Sequence, residues 1–326
     1  MSYVLRRLGF YLLAAWASLT LNFFIPRLMP GDAATVLFAR FQGRLQPEAI
    51  QALRAAFGFT DAPLIGQYFT YVGHLMRGDL GLSVTHFPAP VTGVIATGLL
   101  WTLLLTGVAV ILSFGAGTLL GVIAAWRRGG WLDSVLPPAL TFLGAFPYFW
   151  LAMLLLFVLG FGLGWFPLHH AYADHLQPAW SFEFLGSVAE HMILPAGSIV
   201  IATLGGWMLG MRNTMIGTLS EDYVALAHAK GLPDRRVMFR YAARNALLPN
   251  VTGFGMALGF VLSGSLLTEI VFSYPGTGHL LIEAVRNRDY PLMQGLFLTI
   301  TFAVLGANFI VDLVYVWLDP RTRGRA

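Results

Sequence analysis

The chain has 326 residues, of which 57% are apolar and only 11% charged, and its mean hydropathy is +0.69. Soluble domains carry about 25% charged residues, so the soluble, fibrous and disordered classes are excluded and a polytopic membrane protein remains. A formal charge of +4 is too small to imply nucleic acid, and the absence of cysteine excludes disulfides, thiolate metal sites and cysteine nucleophiles.

Six charge-free runs mark the expected membrane helices, because about 20 apolar residues cross a hydrocarbon core of roughly 30 Å. The first, Leu8 to Pro26, is bracketed by Arg7 and Arg27. It exceeds the apolar core of a secretory signal, about 7–15 residues, and no A-x-A site follows, so it reads as a retained signal anchor. In the long 27–90 segment, Pro47-Glu48 opens a surface helix with an apolar face over Ala49 to Phe57. The second run extends from Leu80 to Trp126, with its helix starting near Val94, and the third, Ser134 to Ala173, holds one span at 137–161. His191–Met211, Asn245–Thr268 and Tyr290–Val311 complete the six.

Thirteen of the 20 Lys and Arg residues fall on the side of both termini. Of the seven opposite, five lie in the 27–90 segment, and long loops weigh little in the positive-inside rule. Both termini are therefore expected in the cytoplasm. Segments 27–90, 162–189 and 273–289 then lie outside, and the 212–248 loop is the one inner segment large enough to meet a partner.

Chemistry candidates are few. The sole lysine, Lys230, is followed by Gly231, so no P-loop exists and any ATP hydrolysis must come from another chain. Glu269 and Asp312 are the ionisable residues near the apolar runs. Glu269 reads as a cap or paired group near the outer surface and Asp312 as a partner of Asn308; a proton or sodium relay is the alternative. His169, His170 and His175 allow a nickel-binding reading, but no carboxylate or sulfur ligand falls at a recognisable spacing, and solvated loop histidines are favoured. GxxxG at Gly117–Gly121, Gly160–Gly164, Gly206–Gly210 and Gly255–Gly259 permits close helix packing without specifying a dimer face.

The 212–248 loop carries the strongest local signal. Ser220-Glu221-Asp222 reads as a hydroxyl N-cap followed by two acids at the positive end of a helix dipole. The helix runs from Tyr223 to Lys230, and Gly231 and Pro233 stop it, with Gly231 expected in a left-handed C-cap. Small residues Ala225, Ala227 and Ala229 surround Leu226, and a second helix from about Pro233 carries Arg235, Arg236, Arg240 and Arg244. Two readings stand on these residues: a docking helix for a protein partner, or an interfacial helix on anionic lipid.

At this loop the sequence resembles the membrane subunits of bacterial ABC importers. A-L-A-H-A-K-G at Ala225–Gly231 followed by N-A-L-L-P at Asn245–Pro249 is similar to their cytoplasmic "EAA" signature. It departs from the general form in placing Ala225 at the glutamate position and in a longer Gly231-to-Pro249 separation, both features of the dipeptide/oligopeptide/nickel branch. Further stretches agree with that branch: M-P-G-D at Met29–Asp32, G-D-L-G-L-S at Gly78–Ser83 and H-M-I-L-P at His191–Pro195. So do F-S-Y-P-G-T-G at Phe272–Gly278, R-D-Y-P-L-M-Q-G at Arg288–Gly295 and the run from Asn308 to Arg321. The long outer segment resembles the first permease of the pair these systems use.

The resemblance implies an all-α polytopic protein of the bacterial inner membrane, with six transmembrane helices in the type I ABC importer permease fold. It further implies residues 1–93 as anchor helix and outer segment, 94–318 as transmembrane core, and 319–326 as cytoplasmic tail. The implied role is non-catalytic: half of a translocation pathway for small peptides, shared with a second related permease, two cytoplasmic ATPases and an extracytoplasmic substrate-binding protein. Nickel chelates, glutathione or oligosaccharides are alternative cargoes, and an autonomous ion-coupled carrier or channel is the alternative of another class. Tyr223, Ala225, Leu226, Ala227, Ala229, Lys230, Gly231, Leu232 and Pro233 would form the ATPase-coupling helix, with Ala227, Ala229 and Gly231 at closest approach. From their place on a short outer turn between spans five and six, Arg286, Arg288 and Asp289 are expected at or near the surface that meets the binding protein; the alternative is that Arg288 and Asp289 brace that turn. No catalytic, cofactor or metal residue is assigned.

Overall fold

A computed structural model of the chain describes residues 2–28, 63–261 and 265–318. The surface helix expected at 47–57, the M-P-G-D motif and the 319–326 tail lie outside these residues. The described residues form helices and contain no strand, only an isolated bridge between Leu82 and Pro90. In chain order they are α1 (Ser2–Leu28), α2 (Leu64–Met76), α3 (Val91–Trp126), α4 (Trp131–Gly144) and α5 (Tyr148–Leu155), which runs into a π-helical stretch, Leu156–Gly162. Next come α6 (Phe182–Leu219), α7 (Asp222–Ala229) and α8 (Asp234–Arg236), which passes through a second π-helical stretch, Val237–Ala243, into α9 (Arg244–Val261). The last are α10 (Leu266–Val271), α11 (Thr277–Arg286) and α12 (Tyr290–Leu318).

Among the described residues, α3, α6 and α12 are long and apolar enough to cross a membrane, and α4 with the α5 stretch makes a fourth if the bent pair counts as one span. That pair turns by 96° at a short break. The single span expected at 137–161 is thus bent where Pro147 stands at the N-cap of α5 with φ −56° and ψ 133°. A proline biases the residue before it away from helix and has no N–H to give, so the chain turns there. The 273–289 turn likewise contains a helix, α11, whose Thr277, Gly278, Leu280 and Ala284 are buried.

The described residues divide into two compact units. One draws on Met1–Thr102, Leu262–Leu266 and Pro275–Ala326. Within it α1 lies along α12: Asn22 Nδ2 donates to the Gln294 carbonyl at 2.8 Å, and Asp312 accepts from the Tyr11 hydroxyl at 2.7 Å. Arg7 pairs with the same carboxylate at 3.2 Å, so Asp312 is held by α1 rather than by Asn308 of its own helix. Val91, Ile95, Leu280, Ala284, Leu292 and Leu296 close the core of this unit. Burial of each large aliphatic there contributes about 1.5–3 kcal/mol. A Cβ at Gly295 would stand 2.7 Å from Val91 Cγ1, which is why α12 carries glycine where it meets α3.

The other unit comprises Leu103–Val261 and Leu267–Tyr274. Here α6 is the axis, flanked by α4, α5 and α9. Its register against α3 is set by Gly117 and Gly121, whose Cβ positions would fall 2.7 Å from Trp207 Cβ and 2.5 Å from the Met208 carbonyl oxygen. Asn250 Nδ2 donates to the Trp207 carbonyl at 3.1 Å, tying α9 to α6. Arg212 Nε donates to Asp133 at 2.5 Å, and the Gly129 N–H bonds the other carboxylate oxygen at 2.9 Å, fixing the start of α4 beside the far end of α6. Glu269 is buried on the short α10, and its carbonyl accepts from Tyr274 N–H at 2.8 Å. Burial and the Glu269 charge push the Tyr274 phenol up.

Candidate functional site

The 212–248 segment forms a short helix seated on a small apolar core. Val224 and Ala227 of α7 are buried against Val122 and Ala125 of α3, Met211 and Met215 of α6, and Val237, Ala242 and Ala243 of the second π-helical stretch. His228 stacks on Trp126 with ring centroids 5.9 Å apart. An isolated helix of eight residues is not stable in water, so this core decides which face α7 turns outward.

Its N-terminal end is closed differently from the sequence expectation. Ser220 does not cap α7; it ends α6, where its hydroxyl donates to the Gly217 carbonyl at 2.7 Å. Glu221 takes the N-cap position of α7, with Asp222 in the first turn and no side-chain cap bond. At the other end Gly231 has φ +69°, the left-handed conformation expected for it. Gly231 N–H bonds the His228 carbonyl at 2.9 Å and Leu232 N–H the Ala227 carbonyl at 3.3 Å, the paired bonds of a Schellman ending. Leu232 packs against the core beneath. Pro233 then N-caps α8.

The outward face carries Tyr223, Ala225, Leu226, Ala229, Lys230, Gly231 and Pro233. Leu226 is 54% exposed and Tyr223 36%, while Val224 between them in sequence is buried. Ala227 is inside, and this corrects the expectation that it stands at closest approach to a partner: it shares the inward stripe with Val224, three residues before. A Cβ at Gly231 would meet nothing within 4 Å, so the space outside that turn is open.

The second candidate set separates as well. Arg286 ends α11 and is exposed, and Arg288 sits at φ +53°. Asp289 is fully buried. Its carboxylate accepts from the Ser83 hydroxyl at 2.5 Å, Thr85 N–H at 2.8 Å and Leu292 N–H at 3.1 Å. Asp289 therefore joins the G-D-L-G-L-S turn to the start of α12 and offers no surface of its own. In that turn Gly78 and Gly81 have positive φ, and Asp79 accepts from Gly81 N–H at 2.9 Å and pairs with His74 Nδ1 at 2.9 Å. These bonds, the Gly81 N–H first, hold the Asp79 carboxyl below its ordinary value.

Among the described residues no group of three histidine or acidic side chains is placed to hold a metal ion. His170 instead pairs with Asp174 at 2.7 Å, and this bond lowers the Asp174 carboxyl from its ordinary value. Sequence reasoning missed that the 163–181 loop is fastened to an extended α6. Ala173 N–H donates to Ser187 Oγ at 2.9 Å, and Tyr172 and Phe184 bring their rings to 5.1 Å.

The family model for "Binding-protein-dependent transport system inner membrane component" matches residues 117–324. Over its full length the chain is similar to curated proteins. It is 35% identical to the di/tripeptide transport system permease protein DppB of Pseudomonas aeruginosa, covering 99% of both chains. It is 34% identical to the dipeptide transport system permease protein DppB of Escherichia coli strain K12, again over 99% of each. With the oligopeptide transport system permease protein AppB of Bacillus subtilis it shares 32% identity over 98% of each.

Proposed function

The chain belongs to the family of binding-protein-dependent transport system inner membrane components, and from that premise we propose that it is a permease subunit of an ATP-driven importer of small peptides. It is a multi-pass protein of the bacterial inner membrane and a conduit rather than an enzyme. Full-length similarity to peptide permeases of three organisms supports the cargo class. A second related permease supplies the other half of the pathway, two cytoplasmic ATPases drive it, and an extracytoplasmic binding protein delivers the peptide. Six spans put both termini in the cytoplasm, with residues 94–318 as the core behind the 1–93 anchor and outer segment and ahead of the 319–326 tail.

The observation that carries the reading is α7: a supported helix with its apolar, small-residue face turned outward. We read it as the coupling helix, lodged by Tyr223, Ala225, Leu226, Ala229, Lys230 and Gly231 in a cleft of an ATPase. Ala227, Leu232 and Pro233 hold it in position. Arg286 and Arg288, on the outer side in this topology, are available to the binding protein, while Asp289 braces the turn that presents them.

Two substitutions test the coupling role in the assembled importer. Leu226→Glu puts a charge on the exposed face, and Gly231→Trp adds bulk where the chain itself has open space. Both variants are expected to reach the membrane and assemble with the second permease, while peptide uptake falls at least about tenfold, the equivalent of about 1.4 kcal/mol of lost coupling. Normal uptake together with normal substrate-stimulated ATP hydrolysis in both variants would sink the proposal.

A further inference from the structure

At about 1.5 Å per residue, the 38 residues of α6 span roughly 57 Å, nearly twice the roughly 30 Å of a hydrocarbon core. The charge-free stretch His191–Met211 alone is long enough to cross it. The turns from Phe182 to Glu190, about 13 Å of helix, therefore extend past the apolar stretch. Their start is built rather than frayed: Ser181 N-caps α6 by accepting from Phe184 N–H at 3.2 Å. The 163–181 loop is fastened alongside by the Ala173–Ser187 bond and the Tyr172–Phe184 ring contact.

At the tip two aromatic side chains stand almost wholly in the open, Trp180 at 97% and Phe182 at 98% exposure. Leu185 is exposed on the same stub. Asp174, Glu183 and Glu190 of this segment are exposed, Asp174 paired with His170, and no lysine or arginine occurs between Arg128 and Arg212. Interfacial tryptophan is ordinary where a span leaves the bilayer, but these rings lie about eight or more residues beyond the apolar stretch. The exposed carboxylates of a segment that has no lysine or arginine are also repelled by anionic headgroups. Tryptophan and other large aromatics set in a charged rim are instead the composition of a protein-binding hot spot.

We propose that Trp180 and Phe182 form an aromatic tip that docks into an apolar recess, ringed by lysine or arginine, on the importer's extracytoplasmic binding protein. This rests on the importer reading above and on its orientation. A contact this far along α6 is suited to a soluble partner rather than to a neighbouring permease, which packs along the spans.

The chain has no cysteine, so Ala179→Cys supplies a unique label beside the tip while leaving both rings in place. In proteoliposomes holding the complete importer, a membrane-impermeant maleimide is expected to modify this position, and saturating binding protein is expected to slow modification at least about tenfold. The double variant Trp180→Ala/Phe182→Ala should raise the binding-protein concentration for half-maximal ATPase stimulation by about tenfold or more, with basal hydrolysis unchanged. Glu183→Lys with Glu190→Lys should raise it further as salt is lowered. Resistance of position 179 to the reagent before any binding protein is added, with quenching of a probe there by brominated lipid, would assign the tip to the membrane and overturn the proposal. Equal modification with and without binding protein, and an unchanged half-saturation in both variant pairs, would overturn it too. An unsubstituted complex that binding protein does not stimulate would instead refute the importer reading.

Discussion

Gly121 and Gly115 lie on the same helix six residues apart, and a methyl group added at each should have opposite effects. On α3, the Cβ of Gly121→Ala would come 2.5 Å from the Met208 carbonyl oxygen, 2.8 Å from Met211 Cβ and 3.1 Å from Arg212 N. Two of those atoms are backbone of α6 and cannot rotate aside, so the helices must separate by several tenths of an ångström. Overpacking of this kind costs about 1–3 kcal/mol, offset by about 1 kcal/mol from alanine's higher helix propensity. Gly115→Ala meets nothing within 4 Å and keeps only the propensity gain. The two variants should therefore differ by about 1–3 kcal/mol, measured as the midpoint of SDS-induced unfolding in mixed micelles. Gly117→Ala, with its Cβ 2.9 Å from the Leu204 carbonyl, should fall with Gly121→Ala. Equal midpoints for Gly115→Ala and Gly121→Ala would refute the close α3–α6 approach.

Asp289→Ala leaves the Ser83 hydroxyl and two backbone N–H groups without their acceptor; at about 1–3 kcal/mol for a single unsatisfied buried group, it should cost at least about 2 kcal/mol. Ser83→Ala should cost less, and both are read as loss of folded protein in the same SDS titration. Asp79 supplies a pH dependence. Its folded pKa lies below the ordinary 3.8, so its contribution is fully present above that value and is lost as pH falls through the lower, folded pKa. The pair is exposed and the effect small, so Asp79→Asn should flatten only the acid limb of a stability profile below about pH 4 and leave neutral pH almost unchanged.

What was legible in the sequence was whatever a local or compositional rule governs. Charge-free runs located α3, α6 and α12, and the glycine after Lys230 announced its own positive φ. The start of α6 was legible and overlooked: Ser181, followed by Glu183 in the first turn, is a helix-start signal. A search for charge-free spans begins instead at His191, because a membrane pattern ends at Glu190 while a helix need not. The alanines of α7 carry the same lesson. Residues two apart on a helix point about 200° away from each other, and residues four apart only about 40°. Ala225 and Ala229 therefore share the outer face, while Ala227 turns inward with Val224. Other features had no local signature. The Ser83–Asp289 bond joins positions 206 apart, and Asp312 is paired with Arg7 from the opposite end of the chain. Only the assembled fold brings such groups together.

One helix links the two proposed partner surfaces. The aromatic tip straddles the start of α6, and α7 follows its last turn after Ser220 and Glu221. The inward residues of α7 pack on Met211 and Met215, which belong to α6 itself. A helix as short as α7 has little stability apart from that support, so it takes its orientation from the α6 terminus and moves with it. Gly117 and Gly121 bring α3 into backbone contact along the middle of the same rod, and Arg212 fixes its lower part to Asp133 of α4. Closely packed interiors transmit displacement rather than absorb it. In the proposed importer, a tilt imposed at the Ser181 end would then reach α7 through α6 itself, whose backbone ladder lacks the bond that Pro195 cannot donate, without a separate relay of side chains. The sparse ionisable groups fit that arrangement: Asp133 and Asp312 are both held in ion pairs that join helices, and so serve the rigidity of the units.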